Sequence, residues 1–179
     1  MTTIVGITHK GKVYLAGDSA ISFGGGRIDT SCDPKVWTAG ECVFGGAGDV
    51  RGIQLARYVL KVPKLPRAQG DAVTMRWLVI DLAAALRAAW STDMPYLPKT
   101  DSTDLLIGAR GMLAHVDWDL AVTVPLDGLA SLGAGGMPAI ASLRSTGHIR
   151  RPKERLTRAL DRAVAETDAT RPPYRYVSA

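Results

Sequence analysis

Cysteine is scarce. The chain has 2 in 179 residues, Cys32 and Cys42, with no Cys-x-x-Cys or His–Cys spacing, so neither a disulfide framework nor a zinc site is expected and a reducing compartment is the simpler home. Aromatic residues make up 6% and are scattered, too few for a base-stacking platform, and nucleic acid is not an expected partner. Long uncharged apolar runs are missing too: the most apolar stretch, Val73 to Trp90, is broken by Arg76, Asp81 and Arg87. The N-terminus lacks a charged n-region and an apolar h-region. No membrane association or export is expected, and the chain reads as cytoplasmic. Phe23-Gly24-Gly25-Gly26 is glycine-rich but no lysine-bearing helix start follows it, which excludes a P-loop and leaves a flexible loop. What is present, 46% hydrophobic and 22% charged residues, suits one globular domain over residues 1–179 with a sizeable core. The formal charge of +5 permits an acidic partner without demanding one.

The opening Met1-Thr2-Thr3-Ile4-Val5-Gly6-Ile7-Thr8 sets the main functional expectation. Thr is small enough for an initiator Met to be removed in front of it, which would leave a hydroxyl and a free α-amine on Thr2. A hydroxyl needs a neighbouring base to be a nucleophile at neutral pH, and an α-amino group, with an ordinary pKa of about 7.7 to 8.0, is such a base. By itself the same tripeptide is also an ordinary translation start ahead of an edge strand.

Thr2 to His9 and Val13 to Ala20 read as a hairpin turning at Lys10-Gly11-Lys12. The second strand ends in Ala16-Gly17-Asp18-Ser19, which returns Asp18 towards Thr2, although an Asp after Gly also serves as a turn residue. A second hairpin flanks Ala39-Gly40-Glu41, with Lys35 at its start, where a solvated edge charge is the default. Gly45-Gly46-Ala47-Gly48-Asp49 leads into a helix from Val50 to Leu60, and small residues at a strand-to-helix turn let a main-chain N–H approach a ligand, as in an oxyanion hole. A long, well-buried helix is expected from Asp71 to about Trp90, with Met75, Leu78, Leu82, Ala85 and Ala89 on one face, widened by Val73, Trp77, Ile80 and Ala84. Asp93 to Asp101 reads as a loop. Strands follow at Thr103 to Ala109, Met112 to Val116 and Leu120 to Pro125. Leu129-Ala130-Ser131-Leu132 ends in Gly133-Ala134-Gly135-Gly136 before another helix, so two glycine turns frame a cleft. The last helix, Pro152 to about Asp168, is expected to bury Leu156, Leu160, Ala163 and Val164 and to expose Arg155, Arg158 and Arg162, with a closing strand at Pro173 to Ser178. The expected fold class is α+β, a four-layer αββα sandwich of two sheets.

Together these motifs resemble the proteasome β-subunit and HslV family of N-terminal-nucleophile hydrolases from Thr2 almost to the end. Thr2-Thr3-Ile4-Val5-Gly6, Gly11-Lys12-Val13 and Ala16-Gly17-Asp18 look like the opening of HslV. Lys35-Val36, Phe44-Gly45-Gly46-Ala47-Gly48 and Leu132-Gly133-Ala134-Gly135-Gly136-Met137-Pro138 are similar to the family's lysine, oxyanion turn and Gly-Ser-Gly-Gly turn, in the family's order. The resemblance implies that Thr2 Oγ attacks a peptide carbonyl while its amine relays the proton. The Gly45 N–H would stabilise the oxyanion, and Lys35, paired with Asp18, would depress the amine's pKa. It also implies that Gly46, Ala47, Gly48 and Ala134 line the substrate. Ala134 departs from the family's serine, which removes a hydroxyl from the amine's surroundings, and Asp168 resembles an aspartate that could share that duty. The chemistry needs no cofactor; Val164, Thr167 and Thr170 match positions whose carbonyls hold a structural cation, Na+ or Mg2+.

The implied function is a threonine-type endopeptidase, assembled as a homo-oligomeric ring that degrades unfolded polypeptides delivered by an AAA+ ATPase. Two alternatives stand beside it. One is a structural protein of the same fold that lost turnover, consistent with Ala134 and a retained Met1, on which the Thr2 nitrogen is an amide. The other is a free-standing amidohydrolase.

Overall fold

The computed structural model describes residues 1–22, 27–91 and 103–179. The loops expected at Phe23 to Gly26 and at Asp93 to Asp101 lie outside the described residues. Strand β1 (Ile4–His9) pairs antiparallel with β2 (Lys12–Gly17) on one side and β10 (Leu129–Leu132) on the other; β11 (Arg175–Ser178) completes the sheet in the order β10-β1-β2-β11. The second sheet has the order β5 (Val36–Ala39), β6 (Cys42–Gly48), β7 (Thr103–Ala109), β8 (Met112–Val116), β9 (Val122–Thr123). The stretch expected to run unbroken from Val13 to Ala20 divides at Asp18-Ser19, and β3 (Ala20–Ser22) leaves to pair with β4 (Ile28–Thr30).

Both sheets are covered on both faces, which is why their strands are apolar without clean alternation. In β1, Ile4 joins Leu15, Val36, Val43 and Leu106 in the core between the sheets, while Val5 and Ile7 meet Leu156, Leu160 and Ala163 of α5 (Pro152–Glu166) and Leu143 of α4 (Gly136–Ser145). Across the second sheet, Phe44, Leu105 and Ile107 pack against Leu55 of α1 (Val50–Tyr58) and against Trp77, Leu82, Leu86 and Trp90. The result is the expected αββα sandwich.

The long helix after residue 70 is continuous but irregular: α2 (Asp71–Trp77), one π-helical turn (Leu78–Leu82), then α3 (Ala83–Ser91). The wider turn rotates the later residues relative to the earlier ones. Trp77, Leu78, Leu82 and Leu86 therefore share the buried face, whereas Ile80, expected inside, is 49% exposed and Ala84 is exposed. At the other helical layer, Val164, also expected inside, is 41% exposed. Arg155, expected outside, turns inward and donates from Nη2 to the Leu143 carbonyl at 2.7 Å.

Candidate active site

Thr2 precedes β1, Asp18 follows β2, and the β1–β2 register, with Ile4 opposite Gly17, brings them to the same end of the first sheet. Lys35 reaches them from the start of β5. Its Nζ donates to Asp18 Oδ1 at 2.8 Å, with the lysine side chain 11% exposed and the aspartate fully buried. The other contacts of Asp18 are main-chain donors: Thr3 N at 2.8 Å on Oδ1, and Ala20 N at 2.8 Å and Arg171 N at 3.2 Å on Oδ2. A buried carboxylate with four donors is compensated; one without them would be costly. Burial pushes the Lys35 ammonium below the ordinary lysine range, and Asp18 opposes that shift.

Met1 fills the mouth of the site. Its carbonyl accepts from Thr2 Oγ1 at 2.7 Å and from Lys35 Nζ at 3.0 Å, and its amine donates to Ser22 Oγ at 2.7 Å. That amine is also held below its ordinary pKa, first by burial and then by the neighbouring Lys35 charge, with Asp18 acting the other way.

A cleft of about 470 Å³ opens beside Thr2, with Lys35, Gly48 and Asp49 among its lining residues. Here the structure corrects the expected oxyanion turn. Gly45, Gly46 and Ala47 are buried inside β6, which continues as strand to Gly48. The Gly46 N–H donates to the Lys35 carbonyl at 3.0 Å. Alternation along an antiparallel strand then directs the N–H groups of Gly45 and Ala47 to the opposite edge, where Leu106 and Asp104 of β7 face them. The same alternation returns the Gly48 N–H to the Lys35 edge, beyond the start of β5 and at the cleft. Of these glycines, Gly48 is the one that lines the cleft.

The second glycine turn borders the nucleophile as expected, through residues other than the one singled out. A Cβ at Gly133, whose φ is +82°, would lie 2.1 Å from the Thr2 carbonyl oxygen, so only glycine fits there. Ala134, which follows it, is exposed and does not line the cleft. Asp168 is exposed on the turn after α5, also outside the cleft lining. The nearby buried polar contact comes from Thr170, whose Oγ1 is 2.6 Å from Thr3 Oγ1. Sequence reasoning named Thr170 only for a cation and missed its contact with Thr3, 167 residues away, because no local pattern links a strand-start threonine to one near the C-terminus. It also missed Asp49 as a lining residue, although its place before α1 was a readable capping signal; Oδ2 accepts from Gly52 N at 2.7 Å.

Among the described residues no cluster of three or more His, Cys, Asp or Glu side chains could hold a metal ion, and no helix is long and apolar enough to cross a membrane. Val164 and Thr167 lie at the end of α5, and Thr170 follows within the buried segment that contacts Thr3.

No family profile matches the chain. It is 28% identical over 146 residues to the ATP-dependent protease subunit ClpQ of Bacillus licheniformis, covering 80% of this chain and 75% of that protein. Among solved structures, HslV from Trypanosoma brucei superposes with a TM-score of 0.76 at 21% identity, covering 99% of this chain and 98% of that one. BPH from Thiobacillus denitrificans, in complex with epoxomicin, gives 0.72 at 16% identity over 99% and 98% of the two chains. The chain shares its whole-length fold with HslV and is similar in sequence to ClpQ, in agreement with the order of the motifs around Thr2, Asp18 and Lys35.

Proposed function

We propose that this protein is a threonine-type endopeptidase that acts once Met1 is removed. The observation that carries the reading is the convergence of Thr2 Oγ1 and Lys35 Nζ on one carbonyl oxygen, that of Met1, beside an open cleft. After loss of Met1 the Thr2 amide becomes a primary amine next to its own hydroxyl. The neutral amine takes the Oγ1 proton, Oγ1 attacks the substrate carbonyl, and the Gly48 N–H stabilises the oxyanion. The amine then returns the proton to the leaving nitrogen, and water, activated by the same amine, hydrolyses the acyl ester. Lys35 keeps the amine basic and unprotonated by like-charge repulsion, while Asp18 holds Lys35 in place.

The working form is a homo-oligomeric ring supplied with unfolded polypeptide by an AAA+ ATPase; the likeness to an ATP-dependent protease subunit supports this. A structural cation, Na+ or Mg2+, fits the oxygen-only donors at the end of α5, where the last helical carbonyls lack intrahelical partners; Val164, Thr167 and Thr170 would hold it, away from the chemistry. A second reading, a non-catalytic subunit of the same fold, is favoured by Ala134 and by the three hydrogen bonds that hold Met1.

The test is intact-mass and peptide-mapping analysis of Met-free protein after incubation with a peptide boronate. One adduct on Thr2 is expected. An unmodified Thr2 under saturating inhibitor would favour the non-catalytic subunit.

A further inference from the structure

The cleft beside Thr2 has two kinds of wall. Val50 and Ile53 offer apolar surface, and Ser31, Asp33 and Asp49 offer polar atoms. Each carboxylate has one oxygen engaged by the protein. Asp33 Oδ1 accepts from Arg57 Nη1 and, at 3.0 Å, from Tyr58 Oη, and Asp49 Oδ2 accepts from Gly52 N.

Two cations near the cleft are already committed. Lys35 is paired with Asp18, and Arg57 is held between Asp33 and the Pro34 carbonyl, with its guanidinium 4.9 Å from the Tyr58 ring centroid. Asp49 is left as the lining charge without a cationic partner among these groups. It also occupies the positive N-terminal end of α1, which would otherwise favour an anion. An acidic side chain entering the cleft would therefore meet carboxylates. A purely apolar one would cover their remaining oxygens without replacing the water they lose. A long amphipathic cation suits both walls, its aliphatic stem against Val50 and Ile53 and its charged head on the acids.

We infer that the cleft selects a lysine or arginine side chain of the substrate, placed next to the bond that Thr2 cleaves, and that Asp33 and Asp49 are the residues that set this specificity. The inference rests on Thr2 being the nucleophile.

The experiment uses Met-free protein and three otherwise identical fluorogenic peptides bearing Arg, Leu or Glu before the leaving group. The Arg peptide is expected to be turned over fastest, with kcat/KM above the Leu peptide by about tenfold or more. In Asp33→Asn and, separately, Asp49→Asn the Arg-to-Leu ratio should fall; Asn still caps a helix, so the second variant keeps α1 anchored. Faster turnover of the Leu or Glu peptide than of the Arg peptide, or a ratio unmoved in both variants, overturns the specificity while leaving the peptidase intact. No turnover of any of the three overturns both, and boronate labelling of Thr2 reports on the peptidase reading alone.

Discussion

Lys35 shows what one side chain contributes here. The sequence left two readings open, an edge charge or a buried ammonium, and the 2.8 Å contact with the fully buried Asp18 carboxylate selects the second. The Lys35→Ala exchange should abolish peptide turnover, because it removes the ammonium whose charge repulsion lowers the pKa of the Thr2 amine. The structure adds a stability cost. Removing one partner of a buried ion pair typically costs about 3–5 kcal/mol. Thr3, Ala20 and Arg171 still donate to Asp18, so the loss should lie at or below the lower end of that range. Thermal melting and turnover of the Met-free variant check both points. Wild-type turnover would show that the lysine is not part of the chemistry.

At the scale of elements, the two glycine turns behave differently. The first is mostly strand: β6 keeps its pairing to Gly48, and only its last residue reaches the cleft. The second is a tight turn pressed against the N-terminal segment. A Cβ at Gly135 would lie 2.1 Å from Thr3 Oγ1 and 2.5 Å from Thr170 Oγ1. The Gly135→Ala exchange should therefore displace the buried hydroxyl pair and lower both stability and turnover, at a cost of about 1–3 kcal/mol for overpacking. The exposed neighbour offers the contrast. Ala134→Ser adds a hydroxyl without a steric penalty and should leave the melting temperature unchanged. If that hydroxyl reaches the Thr2 amine, a hydrogen bond worth about 1 kcal/mol would raise turnover several-fold. Melting curves that shift equally for the two variants would contradict this account of the turn.

For the whole molecule, the apolar side chains left on the surface lie mainly outside the cleft. Val79 and Ile80 sit on the π-helical turn, and Trp118, Val124 and Leu126 flank the β8–β9 edge of the second sheet. Exposed apolar surface of this kind is typical of contact faces in assemblies. Light scattering of the purified protein should accordingly give a mass that is a multiple of the 19.0 kDa chain, and a charged substitution at Ile80 or Trp118 should reduce it. A monomer at micromolar concentration would speak for the free-standing amidohydrolase.

The sequence by itself determined the αββα layering, most of the strand and helix order, and the candidacy of Thr2, Asp18 and Lys35. Those follow from local signals: apolar runs bounded by turns, a hydroxyl beside a future amine, and a spacing shared with a known family. It misjudged the inward places given to Ile80 and Val164, and it did not show that Gly45, Gly46 and Ala47 lie inside β6 or that Asp168 sits on an exposed turn. A glycine-rich run reads alike as strand or turn, and helical periodicity does not reveal a π turn that resets the buried face. Only tertiary structure decided which N–H faces the cleft, since that depends on strand pairing with Lys35 on one edge and Leu106 on the other. Only it joined Thr3 to Thr170 and placed Asp33 and Asp49 around one cavity, because those partners meet through packing of segments distant in the chain.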